Sequence, residues 1–316
     1  MVNQAIMLVG LGECAVSHRD ALKEFESKGY SIVAGVDIDS SKRNFFPAKS
    51  AQYYEDIKTA ALNHPDINII VIATPTPTHY DVYNQICKAF SGRPIQILIE
   101  KPCSDRYEDI MLMLNGSKEV RPTALLHFAY SPEVLWALKK LGNWLKQNGP
   151  ICKYQAFFAD PRNAPEQAHK RAALSSSWKD TGINALSVAY RFVDILGVAL
   201  QPACEPFDYE ATVAFQSDGH KGTGSITTQW NSAISIYISS FVFANGARLT
   251  LDHYSVRGSF DADGITKDTF AGNIKNRRLS HYKNLYNDLF VDKKLIITPS
   301  DALKLHQLLL ADTRKL

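Results

Sequence analysis

A glycine-containing run near the N-terminus has the residue types and spacing that suit the binding of a dinucleotide. Gly10-Leu11-Gly12-Glu13-Cys14-Ala15 follows the pattern G-x-G-x-x-A, and Asp37 lies 25 residues beyond Gly12. The first glycine permits a tight turn, the second lets the backbone approach a pyrophosphate, and the small third residue lets a helix pack against its strand. The phosphates would then bind free N–H groups at the helix N-terminus, and the Asp37 carboxylate would accept hydrogen bonds from ribose hydroxyls.

The acid at position 37 also bears on which dinucleotide is bound. A carboxylate at this position disfavours a 2′-phosphate and therefore favours NAD over NADP. Ser40, Lys42 and Arg43 follow closely and carry groups that bind phosphate. The sequence consequently leaves NADP open as the alternative cofactor.

A second candidate for chemistry is Lys101, in the run Glu100-Lys101-Pro102. The preceding residues 95–99 are mostly apolar and rich in isoleucine, which is typical of a strand buried on both faces. Pro102 cannot donate to a sheet and disfavours helix at Lys101, so the strand must end here. The ends of such strands form the ligand crevice of an open parallel sheet, which would place the Lys101 amine beside a substrate. The alternative interpretation is a surface salt bridge made by Glu100.

The elements that would position these residues alternate between strands and helices. Apolar segments 5–9, 31–36, 67–73 and 95–99 are predicted strands, and the helical patterns between them indicate a doubly wound parallel sheet of the α/β class. After the third strand, Thr74-Pro75-Thr76-Pro77-Thr78-His79 is predicted to be an extended loop, because its prolines restrict the backbone. His79 is interpreted either as a group that faces a ligand or as a cap of the next helix.

The second half of the chain has a different pattern. Segments 211–215, 224–230, 234–243 and 248–252 read as strands in series, which predicts an antiparallel meander, and residues 301–316 predict a closing helix. We therefore expect an N-terminal Rossmann domain, residues 1–126, and a C-terminal α+β domain, residues 127–316, with a large, open, mostly antiparallel sheet. Because an apolar sheet face must be covered, a homodimer or homotetramer through this sheet is expected.

A helix with one polar face is predicted beyond residue 178. Asp180 and Asn184 are four residues apart and share this face, and Ser187 and Arg191 continue the polar stripe. The alternative interpretation makes Asp180 the N-cap of the helix and Asn184 a solvated residue.

The composition narrows the class of protein. With 316 residues, 45% hydrophobic and 21% charged, the chain is long enough for two globular domains. The formal charge of +3 comes without a basic block, so binding to nucleic acid or to a membrane surface is not indicated. The five cysteines (Cys14, Cys87, Cys103, Cys152 and Cys204) never form CxxC, which favours reduced thiols in the cytoplasm over disulfides or a metal site. No signal peptide or membrane span is expected either.

Three motifs together resemble the glucose–fructose oxidoreductase/inositol dehydrogenase (Gfo/Idh/MocA) family: the glycine run, the loop at residues 73–79, and Glu100-Lys101-Pro102. The resemblance implies that the loop lies along the nicotinamide half of NAD(P) and that the lysine reaches a substrate hydroxyl. The expected cofactor-binding residues are Gly10, Leu11, Gly12, Glu13, Cys14, Asp37, Thr74, Pro75, Thr76, His79, Glu100 and Lys101.

The family usually carries a histidine as acid/base in the motif Asp-x-Gly-x-His, where this chain has Asp180-Thr181-Gly182-Ile183-Asn184. An asparagine cannot exchange a proton near neutral pH. The run from Asp180 to Ser187 is similar to that of aldose 1-dehydrogenases acting on arabinose and galactose. The resemblance to that branch implies that Lys101, Asp180 and Asn184 form the catalytic set.

The activity implied by this resemblance is NAD(P)-dependent oxidation of the C1 hydroxyl of an aldose to a lactone, with hydride transfer to the nicotinamide. Lys101, with a lowered pKa, or Asp180 would take the hydroxyl proton, and Asn184 would bind a hydroxyl. His127, Trp178 and Trp230 are further candidate sugar contacts, although each suits a core position as well. The alternatives are oxidation at another carbon of a cyclitol or sugar derivative, or an NAD(P)-sugar sensor without turnover.

Overall fold

The computed structural model describes residues 4–47, 51–116, 119–174, 176–202, 208–294 and 296–310. The chain divides into two compact units: the first comprises Met1–Leu125 with Leu285–His306, and the second comprises Leu126–Asn284 with Gln307–Leu316. Residues 285–306, predicted as part of the C-terminal domain, thus lie in the first unit. The reason is aromatic packing, since the rings of Tyr30 and Phe290 stack with their centroids 4.3 Å apart and Tyr286 packs edge-on to Phe25.

The first unit is built on a sheet of six parallel strands in the order β3-β2-β1-β4-β5-β6. The strands are β1 Gln4–Val9, β2 Tyr30–Val36, β3 Gln52–Tyr54, β4 Ile67–Ile72, β5 Ile95–Glu100 and β6 Val120–Leu125. The four predicted strands and their parallel arrangement are confirmed, and β3 and β6 complete the sheet at its two edges. The order reverses between β1 and β4, so the carboxyl ends of these strands flank the place where such sheets bind ligands.

Four helices of the first unit connect these strands: α1 Glu13–Leu22, α2 Ile57–Asn63, α3 His79–Ala89 and α4 Tyr107–Leu114. The strands between them are buried on both faces, and Ile6, Met7, Leu8, Ile70 and Ile97 are each completely buried. This explains why β1, β4 and β5 are continuous apolar runs without polar alternation.

The second unit contains a sheet of eight strands in the order β14-β13-β12-β11-β7-β10-β9-β8. Its strands are β7 Ile151–Pro161, β8 Asp194–Pro202, β9 Tyr209–Ser217, β10 His220–Gln229, β11 Asn231–Phe243, β12 Arg248–Asp252, β13 Arg257–Ala262 and β14 Ile265–Ala271. All neighbours pair antiparallel except β7 and β10, which are parallel. The predicted strands pair antiparallel as β9 with β10 and as β11 with β12, but they do not form one continuous meander, because β7 lies between β10 and β11. Tyr154 and Phe158 of β7 are completely buried, as a central strand allows.

The remaining helices are α5 Pro132–Asn148, α6 Ala168–Leu174, α7 Ile183–Ala189, α8 Arg277–Asn287 and α9 Pro299–Leu309. α9 corresponds to the first part of the predicted closing helix, and residues 311–316 lie outside the described residues. Within the part of the chain that the structure describes, no helix is both long and apolar enough to cross a membrane.

The two faces of the large sheet differ in character. On β9 the buried residues Val213 and Phe215 alternate with the exposed residues Glu210 and Thr212, so this strand turns one apolar face toward the core of its unit. The outward face of β9 and of the neighbouring β10 is polar, with Thr223 and Ser225 also exposed. The expected homo-oligomer remains a proposal, and such an interface would bury hydroxyl groups here.

Candidate functional site

Gly10 forms the tight turn at the end of β1. Its φ is +86°, and a Cβ at this position would lie 2.7 Å from the backbone nitrogen of Thr74 and 2.8 Å from the carbonyl oxygen of Ala73. The Gly10 N–H also donates to the Val36 carbonyl at 2.9 Å. Both the conformation and the close approach of the β4 end therefore require glycine.

Gly12 has the opposite environment, although it stands two residues away. A Cβ at Gly12 would meet nothing within 4 Å, and Gly12, the N-cap of α1, has no side chain that could cap the helix. Ala15 is completely buried, which is the close helix packing expected for the third position of the motif. The open space at Gly12, in front of the N-terminus of α1, fits a pyrophosphate.

Asp37 follows β2 and is oriented by two backbone groups. Its Oδ2 accepts the N–H of Leu11 at 2.7 Å, and its Oδ1 accepts the N–H of Asp39 at 2.9 Å. Each carboxylate oxygen keeps a further acceptor site, so Asp37 fits the role of binding two ribose hydroxyls. Arg43, a candidate for binding a 2′-phosphate, lies 2.6 Å from the Glu55 carboxylate, which engages its charge elsewhere and favours NAD.

His79 neither caps its helix nor lies on the surface. It is buried, with Nε2 2.8 Å from the Thr74 carbonyl and Nδ1 3.1 and 3.2 Å from the carbonyls of Pro102 and Cys103. Burial lowers its pKa, so the neutral ring donates from one nitrogen at a time. This arrangement ties the Thr74 loop to the turn that follows Lys101 and favours a positioning role over contact with a ligand.

Glu100, at the end of β5, is a buried group and not part of a surface salt bridge. Its Oε1 lies 3.0 Å from Nε2 of His18, and its Oε2 accepts the N–H of Lys101 at 3.1 Å. The other ring nitrogen of His18 lies 2.7 Å from the hydroxyl of Tyr286. Glu100 therefore fixes the backbone from which the partly exposed side chain of Lys101 projects, and the Lys101–Pro102 peptide is cis.

Asp180 and Asn184 lie in a locally widened helix of the second unit. Trp178–Gly182 forms a π-helical turn that continues into α7. Side chains bond back to carbonyls of this segment: Thr181 Oγ1 to Ser177 at 2.9 Å, and Asn184 Nδ2 to Asp180 at 3.4 Å. Asp180 is therefore inside the helix and not its N-cap, and Asn184 is 4% exposed and not solvated. Such π turns often occur at functional sites.

Arg162 is the main partner of Asp180, and the sequence analysis did not assign it to the site. Its Nε donates to Asp180 Oδ2 at 3.1 Å, and its Nη2 lies 3.5 Å from Asp160 Oδ2. Asp160 also accepts the hydroxyls of Ser235 and Tyr237. Burial opposes the charge of Arg162, but the two carboxylates outweigh it and raise its pKa. The feature of the sequence that could have identified Arg162 is Asp160-Pro161-Arg162, in which two charged residues lie at the end of a strand.

The predicted helix and polar stripe end sooner than expected. α7 ends at Ala189, and Arg191 lies beyond it and donates to the Ala129 carbonyl at 2.9 Å. Ser187 is completely buried and donates to the Asn184 carbonyl.

The proposed sugar contacts of the second unit are mainly core residues. Trp178 is 2% exposed, donates its indole N–H to the Leu309 carbonyl at 2.8 Å and packs against Gly182. His127 is buried with its Nδ1 3.3 Å from Nδ1 of His281, and Trp230 is also buried. These surroundings favour structural roles over stacking on a sugar.

The structure thus brings the candidates together in two groups, one in each unit. In the first unit the glycine turn, Asp37, the Thr74 loop and Lys101 all follow the carboxyl ends of neighbouring parallel strands. In the second unit Asp180 and Asn184 share a helical segment with Arg162 and Asp160 against it.

The first unit matches a known family by sequence. Residues 5–123 match the Gfo/Idh/MocA model, described as an oxidoreductase family with an NAD-binding Rossmann fold. No curated protein sequence matches the chain significantly.

Solved structures with similar folds cover nearly the whole chain at low sequence identity. GenD2 of gentamicin A biosynthesis, in complex with NAD, is 16% identical with a TM-score of 0.77 and covers 100% of this chain and 96% of its own. Levoglucosan dehydrogenase in complex with NADH and L-sorbose is 13% identical with a TM-score of 0.77, and the match covers 99% of this chain and 97% of that one. A myo-inositol dehydrogenase from Corynebacterium glutamicum is 17% identical with a TM-score of 0.71, and the match covers 98% of this chain and 95% of that one. At these identities the likeness concerns the fold alone.

Proposed function

We propose that this protein is a sugar dehydrogenase that acts on the C1 hydroxyl of an aldose. The premise is that residues 5–123 match the Gfo/Idh/MocA family of NAD-binding oxidoreductases. The observation that carries the proposal is the position of Lys101, which follows the carboxyl end of β5 at the same sheet edge as the glycine turn and Asp37. An amine at this edge suits a substrate hydroxyl beside the nicotinamide end of a dinucleotide.

The residues that would hold the cofactor are those of the glycine turn, Asp37 and the Thr74 loop. The open space at Gly12 would receive the pyrophosphate, and the carboxylate fixed by Leu11 would bind the ribose. NAD bound there would supply the acceptor for a hydride. His79 and Glu100 would hold the loop and the Lys101 backbone that flank the nicotinamide end.

The proposed substrate class is based on the proteins whose solved structures have a similar fold. Levoglucosan dehydrogenase, crystallised with L-sorbose, and myo-inositol dehydrogenase both carry names of polyhydroxylated ring compounds. We assign the same class to this chain, and the resemblance of residues 180–187 to arabinose and galactose 1-dehydrogenases favours an aldose oxidised at C1.

The proton of the reacting hydroxyl must leave as the hydride leaves. We assign its removal to Lys101, with Asp180 as the second group able to accept a proton. Asn184 has no acid/base role and would bind a hydroxyl through its amide. Arg162 would keep the Asp180 carboxylate in one orientation, because its guanidinium bonds Oδ2.

A second candidate function follows from Asn184, which stands where the family usually has an acid/base histidine. Oxidation at another carbon of a cyclitol, or sugar sensing without turnover, would each fit a site that lacks this histidine. The retained Lys101 and Asp180 favour the dehydrogenase.

The test is a panel of aldoses and cyclitols, each incubated with NAD and with NADP, with NAD(P)H formation followed by absorbance. We expect turnover with L-arabinose, D-galactose or a close relative, and a preference for NAD. Turnover with cyclitols alone would favour the other carbon, and NAD binding without turnover on any member would favour the sensor.

A further inference from the structure

Three side chains of types that ligate metals, Cys14, His18 and Glu100, lie close together in the first unit. Cys14 and His18 are four residues apart on α1, so both project from one face of the helix. Glu100 is the last residue of β5. The ligand atoms of the three side chains all lie within 4.8 Å of one another. In the reaction assigned above, Glu100 holds the backbone of Lys101, and none of the three side chains is assigned to contact the substrate.

We propose that Cys14, His18 and Glu100 form a binding site for one thiophilic divalent cation of the Zn²⁺ type. A thiolate, an imidazole nitrogen and a carboxylate oxygen are the three ligand types that zinc takes in proteins. This inference does not depend on the identity of the sugar or on turnover.

The distances are close to those a tetrahedral ion needs. With Zn–S of about 2.3 Å and Zn–N and Zn–O of about 2.0–2.2 Å, neighbouring ligand atoms lie roughly 3.4–3.6 Å apart. In the structure Cys14 Sγ is 3.9 Å from His18 Nε2, and Nε2 is 3.0 Å from Glu100 Oε1. These two separations differ from the tetrahedral values by about half an ångström or less, and all three ligand atoms lie within 4.8 Å of one another.

The surroundings of His18 are also those of a metal ligand. Its Nε2 faces the cluster, and its Nδ1 lies 2.7 Å from the hydroxyl of Tyr286. Ligating histidines almost always donate their second ring N–H to an oriented partner. Tyr286 is completely buried and would accept that N–H when the Nε2 lone pair turns to the ion.

Charge balance supports a divalent ion in this position. Binding would release the thiol proton of Cys14 to solvent, so that one thiolate and one carboxylate neutralise the two positive charges. A neutral set of this kind limits the desolvation cost of a buried charge. His18 and Glu100 are buried, and Cys14 is partly exposed, so Cys14 gives the ion its route and leaves a fourth position for water.

Binding of the ion would affect both the proposed pyrophosphate position and the backbone of Lys101. Cys14 is in the first turn of α1, at the pyrophosphate position, while Glu100 holds the backbone N–H of Lys101. An ion that draws the Glu100 carboxylate inward would loosen that bond. We therefore expect the cation to change the turnover of the enzyme as well as its stability.

The experiment titrates the reduced, full-length protein with Co²⁺ in place of Zn²⁺, because cobalt bound to a thiolate gives a charge-transfer absorption band. We expect one Co²⁺ per chain with this band, which Zn²⁺ then abolishes by displacement. Cys14→Ser should lose the band. His18→Gln or Glu100→Gln should weaken binding by at least about tenfold, because loss of a ligand costs no less than loss of a ligand's hydrogen-bond partner. The exposed Cys152 offers the matched control, and Cys152→Ser should keep the band.

Two results would overturn the site. One is a wild-type protein whose Cys14 thiol reacts with a thiol reagent yet shows no cobalt band at millimolar Co²⁺. The other is a band of equal strength in Cys14→Ser, with circular dichroism confirming that the variant is folded. Neither result depends on NAD or on a sugar, so failure here is distinguishable from failure of the dehydrogenase proposal.

Discussion

The candidate residues of the two units are held by different kinds of interaction. In the first unit the candidate residues are positioned mainly by the backbone: a positive φ at Gly10, open space at Gly12, and N–H groups that orient Asp37. In the second unit side chains hold one another, through the pair of carboxylates, Asp160 and Asp180, around Arg162. The difference teaches that a site built by backbone geometry leaves a strict sequence motif, while a site built by side-chain pairs leaves scattered charges.

The largest effect is expected from Lys101, which separates cofactor binding from catalysis within the first unit. Lys101→Ala should lower kcat by about 10²–10⁴-fold, the usual contribution of a group that transfers a proton. NAD affinity should change little, because the glycine turn and Asp37 are untouched. Steady-state kinetics and calorimetry with NAD measure the two effects.

The control for Lys101 is Lys88→Ala, which removes an exposed lysine on α3. It should leave both quantities as in the wild type. If Lys101→Ala kept its kcat within a few-fold, the lysine would have no acid/base role.

Arg162 tests whether charge pairing holds the second unit. Arg162→Met leaves two buried carboxylates without their cation, and should reduce the free energy of unfolding by about 3 kcal/mol. Urea denaturation measures this loss. Arg43→Met is the contrast in the first unit, because its pair with Glu55 is exposed and should contribute little to the free energy of unfolding. Equal losses in the two variants would remove the distinction between the units.

The two glycines of the turn should separate folding from cofactor binding. Gly10→Ala forces a Cβ against Thr74 at a φ of +86° and should cost about 1–2 kcal/mol of stability from the backbone alone. Gly12→Ala should leave the midpoint of thermal unfolding nearly unchanged while weakening NAD binding by about tenfold, or 1.4 kcal/mol. Loss of stability at Gly12, or normal NAD binding in its alanine variant, would contradict the assigned roles.

Buried histidines should make stability depend on pH. His306 accepts the Cys103 N–H at Nε2, 3.0 Å away, and donates from Nδ1 to the Ala302 carbonyl at 2.7 Å. Burial lowers its pKa from 6.5 to about 4. The folded chain keeps this ring neutral while the unfolded chain takes up a proton, so its contribution is complete above pH 6.5 and is lost as the pH falls toward 4.

This pH dependence can be measured as the free energy of unfolding between pH 7 and 5. His306→Gln should reduce the slope by up to about 1.4 kcal/mol per pH unit near pH 5. His220→Gln, at an exposed position, should leave the slope unchanged. An identical slope in wild type and His306→Gln would show that folding does not lower the pKa of His306.

The sequence predicted the first unit in more detail than the second. The parallel strands, the glycine turn and Asp37 follow from local patterns of buried residues and from backbone requirements. The pairing of Glu100 with His18 could not be predicted, since it joins residues far apart in the chain. The same holds for segment 285–306, whose aromatic residues pack in the first unit.

In the second unit the strands themselves were recognisable but their order was not. β7 lies between β10 and β11 although α6, α7, β8 and β9 all stand between it and β10 in sequence. Periodicity reports which residues are buried and not which strand they lie beside. Asp180 and Asn184 were identified by resemblance, and the π turn and Arg162 that hold them became evident only in the structure.

The central claim, oxidation at C1, is tested most directly by isotope transfer. The full-length protein is given NAD and the aldose that it turns over fastest, labelled with deuterium at C1, and the NADH formed is weighed by mass spectrometry. The account predicts that every NADH molecule carries one deuterium from the sugar. Unlabelled NADH, formed at a comparable rate, would contradict it and show that another carbon supplies the hydride.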